Sequence, residues 1–236
     1  MENKDIKLSK EAIDEMKKIW FTADLHHGHP KIVEICNRPV SIEKKLLDGI
    51  PEKERNIKNK NYAWLLSQAM EEWLVKDVIN PFVGKKDSIY FLGDLSLAKR
   101  NLAERFIDRL NGNKFLILGN HDKNIKNCTR FSQVTQRKNF TFSRFGLNLH
   151  IVLDHFPLAS WDRKVHGSWH LYGHVHGRLK FPEMTVLDVG IDNPEILEIT
   201  GGVYRPLNLY EVYLFMKKRE EEIGLEKVRF ENGVYG

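Results

Sequence analysis

The sequence predicts an α/β protein of stacked sheets and helices, and three observations carry that expectation. Residues 88–92 and 114–118 are short apolar runs with an amphipathic stretch, 99–110, between them, a strand–helix–strand unit whose crossover implies parallel strands. Five short blocks of histidine, aspartate and asparagine each follow an apolar run, where loops leave the carboxyl ends of strands. A length of 236 residues, 42% hydrophobic and 29% charged, suffices for one sizeable core of ordinary globular composition.

In chain order, residues 9–17 predict a helix capped by Ser9, with Ala12, Ile13 and Met16 on one face. Residues 18–23 read as a buried strand that delivers Asp24 at its carboxyl end. A helix over 31–36 is stopped by Arg38-Pro39. Residues 61–79 are helical, 88–92 form a strand ending at Gly93-Asp94, and the 99–110 helix closes on the Asn111-Gly112 turn. The strand over 114–118 ends at Gly119-Asn120-His121-Asp122. Beyond it, 140–145, 147–153, 169–172, 185–189 and 207–214 predict strands, and 217–227 predicts a charged outer helix. Residues 41–62 interrupt the pattern with six cations against four anions. This stretch reads as an insertion in a single domain spanning 1–236, a loop or helical hairpin. Solvated decoration is its default role, with a lid or an oligomer contact as the alternative.

The net charge of +5 and a pI near 9.0 suit an anionic substrate. The cations fall in scattered pairs such as Lys85-Lys86 and Arg137-Lys138, without the basic stripe of a dedicated nucleic-acid binder, so nucleic acid is permitted but not indicated. Cys36 and Cys128 make no disulfide framework and read as reduced thiols. No apolar run approaches the roughly 20 residues of a spanning helix, and the start is not that of a signal peptide. The expectation is a cytoplasmic protein without a membrane partner, and the sequence sets no oligomeric state.

The five blocks are Asp24-Leu25-His26, Gly93-Asp94, Gly119-Asn120-His121-Asp122, Asp154-His155 and Gly173-His174-Val175-His176. They offer seven metal-capable side chains: Asp24, His26, Asp94, Asn120, His155, His174 and His176. Asp-x-His or Gly-Asp alone is common. Gly119-Asn120-His121-Asp122 after an apolar strand is far more specific, and His174 and His176, two apart on an extended segment, point the same way. Carboxylate, imidazole and amide oxygen suit Mn²⁺, Fe or Zn²⁺, and the absence of cysteine from the blocks argues against a structural zinc site. Asp94 is the natural bridge between two ions, because its block lies between those that would bind each separately. Two ions about 3.5–4 Å apart would activate a water and clamp a phosphoryl group. His121 is then placed to protonate a leaving alkoxide, with Asp122 orienting its ring.

In this order the blocks resemble the calcineurin-like metallophosphoesterase superfamily, over residues 19–213. Phe21-Thr22-Ala23-Asp24-Leu25-His26-His27-Gly28-His29, Cys36-Asn37-Arg38-Pro39, His155-Phe156-Pro157-Leu158 and Asp188-Val189-Gly190-Ile191-Asp192 are similar to a branch of small bacterial and phage phosphoesterases. The resemblance implies a four-layer α/β/β/α sandwich, two mixed sheets flanked by helices, with metals at the strand ends. It implies one ion on Asp24, His26, Asp94 and His176, and another on Asp94, Asn120, His155 and His174. His121 would be the acid or transition-state stabiliser, and a metal-bridging hydroxide the nucleophile.

The expected cofactors are thus two divalent ions, Mn²⁺ first, with Fe, Zn²⁺ and Ni²⁺ as alternatives. The expected partner is a phosphate mono- or diester, nucleotides among the candidates. A nuclease or nucleic-acid end-processing enzyme of the same fold is the alternative, and a non-catalytic metal-bearing scaffold a third reading. His29 is expected to line the cleft, and Arg38 to meet a substrate phosphate through its fork of donors. Asp188 and Asp192 either hold ligand histidines in one tautomer or merely finish a strand. His27, His150, His166 and His170 read as structural or surface residues, and Phe156, Trp161 and Trp169 as packing.

Overall fold

In a computed structural model of the protein, residues 8–224 are described. The elements are α1 (Lys10–Met16), β1 (Ile19–Thr22), α2 (Lys31–Ile35), α3 (Lys60–Trp73), β2 (Ser88–Leu92), α4 (Arg100–Arg109), β3 (Asn113–Ile117) and β4 (Gln133–Thr135). They continue with β5 (Arg137–Arg144), β6 (Leu147–Asp154), β7 (Trp169–Tyr172), β8 (Val186–Asp188), α5 (Pro194–Ile199), β9 (Leu207–Asn208) and α6 (Leu209–Glu222). One mixed sheet runs β4-β3-β2-β1-β9, with only β9 antiparallel to its neighbour; a second runs β5-β6-β7-β8, with β5 antiparallel.

Alternation along the central strands decides the layering, since successive side chains leave opposite faces. Trp20, Ile89, Phe91 and Leu116 pack with α2, α3 and α4 through Ile32, Val33, Leu66, Met70, Ala103 and Phe106. Phe21, Tyr90, Leu92 and Ile117 turn the other way and meet Phe140, Phe142, Ile151, Leu153 and Leu171 of the second sheet. Helices α1, α5 and α6 add Met16, Ile196, Val212 and Met216 to that inter-sheet core. The result is two mixed sheets flanked by helices, as the sequence implies.

Most elements fall where expected, including the strand–helix–strand unit, whose β2 and β3 pair in parallel from Ser88↔Asn113 to Leu92↔Ile117. The strand expected over 207–214 is corrected: only β9 is extended, and α6 starts at Leu209. Asn208 accepts from the Glu211 N–H while the Glu211 carboxylate accepts from the Asn208 N–H, a reciprocal cap that starts a helix despite the β-favouring Tyr, Val and Phe that follow. Leu209, Val212 and Met216 then form its buried face. The charged helix expected over 217–227 is the end of α6, and residues 225–227 lie outside the described region. Residues 41–59 form a loop with 3-10 turns at Lys44–Leu47 and Glu52–Glu54, and 60–62 open α3, so the stretch is not a hairpin of helices. Among the described residues, no helix is long and apolar enough to cross a membrane.

Candidate metal centre

Parallel pairing of β1, β2 and β3 brings their carboxyl ends to one edge, and parallel β6 and β7 do the same in the second sheet. The five blocks leave from those ends. The loops that carry these histidines and aspartates are held in unusual backbone: Asp24, His26, Asp94, His174 and His176 have φ of 59°, 52°, 50°, 73° and 50°. Left-handed backbone costs a non-glycine residue about 1–2 kcal/mol, and its recurrence here marks a place where surrounding structure enforces side-chain direction.

Three groups of ligand-type atoms result among the described residues, with the atoms of each within 4.8 Å of one another. Asp24, His26 and His176 form the first, Asp94, His155 and His174 the second, and Cys36, His176 and Asp192 the third, in which both Asp192 oxygens are already held by Arg38. In the first, His26 Nε2 and His176 Nε2 face each other at 3.2 Å, near the roughly 3.3 Å expected for two nitrogens on one tetrahedral ion. In the second, His155 Nδ1 donates to the Leu92 carbonyl at 2.8 Å, which leaves Nε2 as the lone-pair atom, 3.1 Å from Asn120 Oδ1. Asp94 Oδ2 lies 3.9 Å from His26 Nε2 and 3.5 Å from His155 Nε2, one atom from each of the first two groups, and Asp94 Oδ1 accepts the His121 N–H at 2.9 Å.

These residues fit divalent ions on their own chemistry. Asp24 Oδ1 is fully buried with no hydrogen-bond partner, while its Oδ2 accepts the His174 N–H at 2.8 Å. An unpartnered buried carboxylate oxygen is costly unless a cation meets it. Burial, then the charges of Asp188 and Asp94, push the Asp24 carboxyl well above the usual range. Burial takes His26 down to about 3 and lowers His174, so both present neutral rings with free lone pairs. Burial also opposes charge on Asp94 and His155, but the hydrogen bond and attraction between the carboxylate and the protonated form of the ring prevail, lowering the first and raising the second.

His121 stands at the mouth of the cleft, with 46% of its side chain exposed and Nε2 at 3.8 Å from Asp94 Oδ2. His29 lies beside it in the cleft wall, its ring centroid 5.9 Å from that of His26 and its Nδ1 buried without a partner.

Two expectations are corrected. Asp122 does not orient the His121 ring: its buried carboxylate accepts backbone N–H groups from Leu95, Ser96 and Gly119, tying the loop after β2 to the loop after β3. Arg38 does not face the cleft. All five of its N–H groups are engaged, by both oxygens of Asp192, the carbonyls of Asp24 and Leu25, and Met70 Sδ. Asp192 in turn meets His176 Nδ1 at 3.0 Å, so it fixes a ring orientation. Asp188 acts on the backbone instead, accepting from Gly177 and Gly190. His27 stacks on Phe106 at 4.1 Å and bonds Ser96 and Glu71, and His170 bonds the carbonyls of Val152 and Phe156; both are structural. Sequence reasoning missed Glu71, which sits mid-helix in α3 without a motif to single it out.

Two mixed sheets with carboxylates and imidazoles gathered at their strand ends define a metal-dependent phosphoesterase. The sequence profile of the calcineurin-like phosphoesterases matches residues 17–226, and the chain belongs to that family. It is 30% identical over 163 residues to the uncharacterized protein MJ1445 of Methanocaldococcus jannaschii, covering 68% of this chain and 70% of that one. It is 26% identical over 206 residues to the gene 66 protein of Mycobacterium phage D29, covering 75% of this chain and 89% of the phage protein. In three dimensions it is similar to AQ665 of Aquifex aeolicus, a protein of unknown function, with a TM-score of 0.53, 18% identity, and coverage of 84% of this chain and 98% of that one. That likeness concerns the fold alone.

Proposed function

We propose that the protein is a binuclear phosphoesterase that hydrolyses phosphate mono- or diesters, nucleotides among them, with Mn²⁺ as the preferred metal. The observation that carries this reading is the position of Asp94 Oδ2, within 4 Å of an imidazole nitrogen from each ligand group and of His121 Nε2. One ion would take Asp24, His26, Asp94 and His176, and the other Asp94, Asn120, His155 and His174. Bound there, two divalent ions would supply Lewis-acid polarisation of the phosphoryl oxygens and an acidified water.

The chain's own residues do the rest. The Leu92 carbonyl and Asp192 fix the tautomers of His155 and His176, so each ring offers Nε2 inward. His121 Nε2, open to solvent and next to Asn120, gives its proton to the departing alkoxide. His29 borders the same space and lends its ring to the substrate side of the cleft.

The test is hydrolysis of bis-p-nitrophenyl phosphate and p-nitrophenyl phosphate by metal-stripped protein titrated with Mn²⁺, Ni²⁺, Zn²⁺ and Mg²⁺. Metal-restored cleavage that His121→Ala reduces about 10²–10⁴-fold, with metal content unchanged, is the expected result. No turnover with any metal at two bound ions per chain, or full turnover in the variant, would overturn it.

A further inference from the structure

Beside the second ligand group the surface opens into a pocket of about 750 Å³, lined by Asn120, Lys123, Lys126, Arg137, Phe156 and Leu158. It lies within the size range of small-molecule sites, about 300–1,000 Å³. Its position is set by Asn120 at one wall and Phe156 at another. The Phe156 ring is 43% exposed and packs edge-on against the rings of His155 and His174, at 4.9 and 4.7 Å. An exposed aromatic ring fixed against two ligand-type histidines is an anchored surface for a flat group, and the packing role expected from the sequence covers only its inner edge.

The charges are equally uneven. Lys123 and Lys126 are three residues apart on the turn after His121, both exposed, and neither is ion-paired among the described residues. The carboxylates nearby are engaged elsewhere. Asp122 holds the N–H groups of Leu95, Ser96 and Gly119, and Asp154 holds Arg137 Nε at 2.7 Å and the Phe156 N–H at 2.9 Å. Two free ammonium groups therefore face the pocket with no carboxylate of its lining available to neutralise them. A neutral or purely aromatic ester would leave both unused; a second phosphate would engage them.

We propose that this pocket is a subsite for the part of the substrate beyond the scissile phosphate, and that it takes a nucleoside carrying at least two phosphates. The second phosphate lies on Lys123 and Lys126, and the base on Phe156. This rests on the hydrolase reading above, in which Asn120 would hold the second ion. Binding energy gathered at a distance from the reacting centre is a normal source of ester selectivity.

Titration calorimetry on the Mn²⁺-loaded protein with adenosine 5′-(α,β-methylene)diphosphate, adenosine 5′-monophosphate and adenosine reads this directly. The diphosphate analogue is expected to bind about tenfold or more tightly than the monophosphate, one to two charge-assisted contacts' worth. The Lys123→Ala/Lys126→Ala double variant loses that advantage, while Phe156→Ala weakens both nucleotides together and keeps their ratio. All three side chains are exposed, so the variants fold, which a melting curve checks. Equal affinity for the two nucleotides, an unchanged ratio in the double variant, or no binding would each overturn the subsite. Hydrolysis of bis-p-nitrophenyl phosphate is read in parallel. Turnover without nucleotide discrimination rejects the subsite and keeps the hydrolase; lysine-dependent binding without turnover does the reverse.

Discussion

Arg38 and Asp192 are locked by two parallel hydrogen bonds, Nε to Oδ1 at 2.9 Å and Nη2 to Oδ2 at 2.7 Å, in a region closed to solvent. The pair joins the loop after α2 to the loop before α5, and the other Arg38 donors hold the carbonyls of Asp24 and Leu25. Burial works against the charge on Asp192, but hydrogen bonds from His176 and Arg38 outweigh it and hold the carboxyl down at about 2. Arg38→Ala strands that carboxylate, and should cost about 3–5 kcal/mol in urea unfolding. Arg38→Lys cannot restore the two-pronged contact and should recover little. An alanine variant as stable as the parent would show that the pair holds nothing.

Asp192 also meets His176 Nδ1, and His176 is proposed to hold one ion. Asp192→Asn keeps the shape but weakens the ring's hold, so one ion per chain should bind about 10–100-fold more weakly while the other is unaffected. Chelator competition monitored by metal analysis separates the two. Equal weakening of both ions would place the effect in folding rather than in ring orientation.

The sequence makes the histidine and aspartate blocks at the strand ends legible because strand ends, short spacings and flanking glycines are local features. The partners that hold those side chains are separated by distance along the chain. Arg38 is 154 residues from Asp192, and nothing local distinguishes it from a surface arginine beside a phosphate site. Asp122 follows His121 directly, which suggests contact between their side chains, yet the turn directs its carboxylate toward the Leu95 and Ser96 amides. For α6 the misleading signal is composition: Tyr210, Val212, Tyr213 and Phe215 favour strands, and the capping pair Asn208 and Glu211 overrides them.

Gly93 and Gly119 show why glycine precedes Asp94 and Asn120. Gly93 has a φ of 86°, and a Cβ there would strike the His155 ring; a Cβ on Gly119 would strike the backbone N and Oδ1 of Asp94. Either substitution must push His155 or Asp94 aside, residues proposed to hold the ions. Gly93→Ala and Gly119→Ala should therefore lose metal affinity out of proportion to stability, Gly93→Ala also bearing about 1 kcal/mol or more of backbone strain. Metal content at the parent's level in both variants would refute the argument.

Glu71 bonds His27 Nε2 at 3.0 Å and Arg109 Nη1 at 2.6 Å, linking α3 to α4 and to the residue after His26. The His27 hydrogen bond lowers its carboxyl most; burial opposes, and Arg109 adds to the lowering. A carboxyl lowered on folding contributes stability that is full above its unfolded value near 4.5 and is lost as pH falls through the folded value. Glu71→Gln should thus cost about 1.5–3 kcal/mol at neutral pH, the worth of hydrogen bonds to a charged group. The gap to the parent should narrow below pH 4.5. Denaturant midpoints across pH 3–7 check the sign, and a gap that widens on acidification would contradict it.

Asp24 and Asp94 differ in how many ions each should hold. Asp24 Oδ1 lies with the His26–His176 pair, whereas Asp94 Oδ2 stands between His26 and His155, 3.9 and 3.5 Å away. Asp24→Ala removes a ligand from one group, so purified protein should retain close to one ion per chain. Asp94→Ala removes a ligand from both and should retain fewer, with activity lost in step. Plasma emission analysis after dialysis gives the two stoichiometries, and circular dichroism confirms that both variants are folded. If Asp94→Ala kept two ions, or if the two variants lost metal equally, Asp94 would not be the shared ligand, and the binuclear reading would lose its centre.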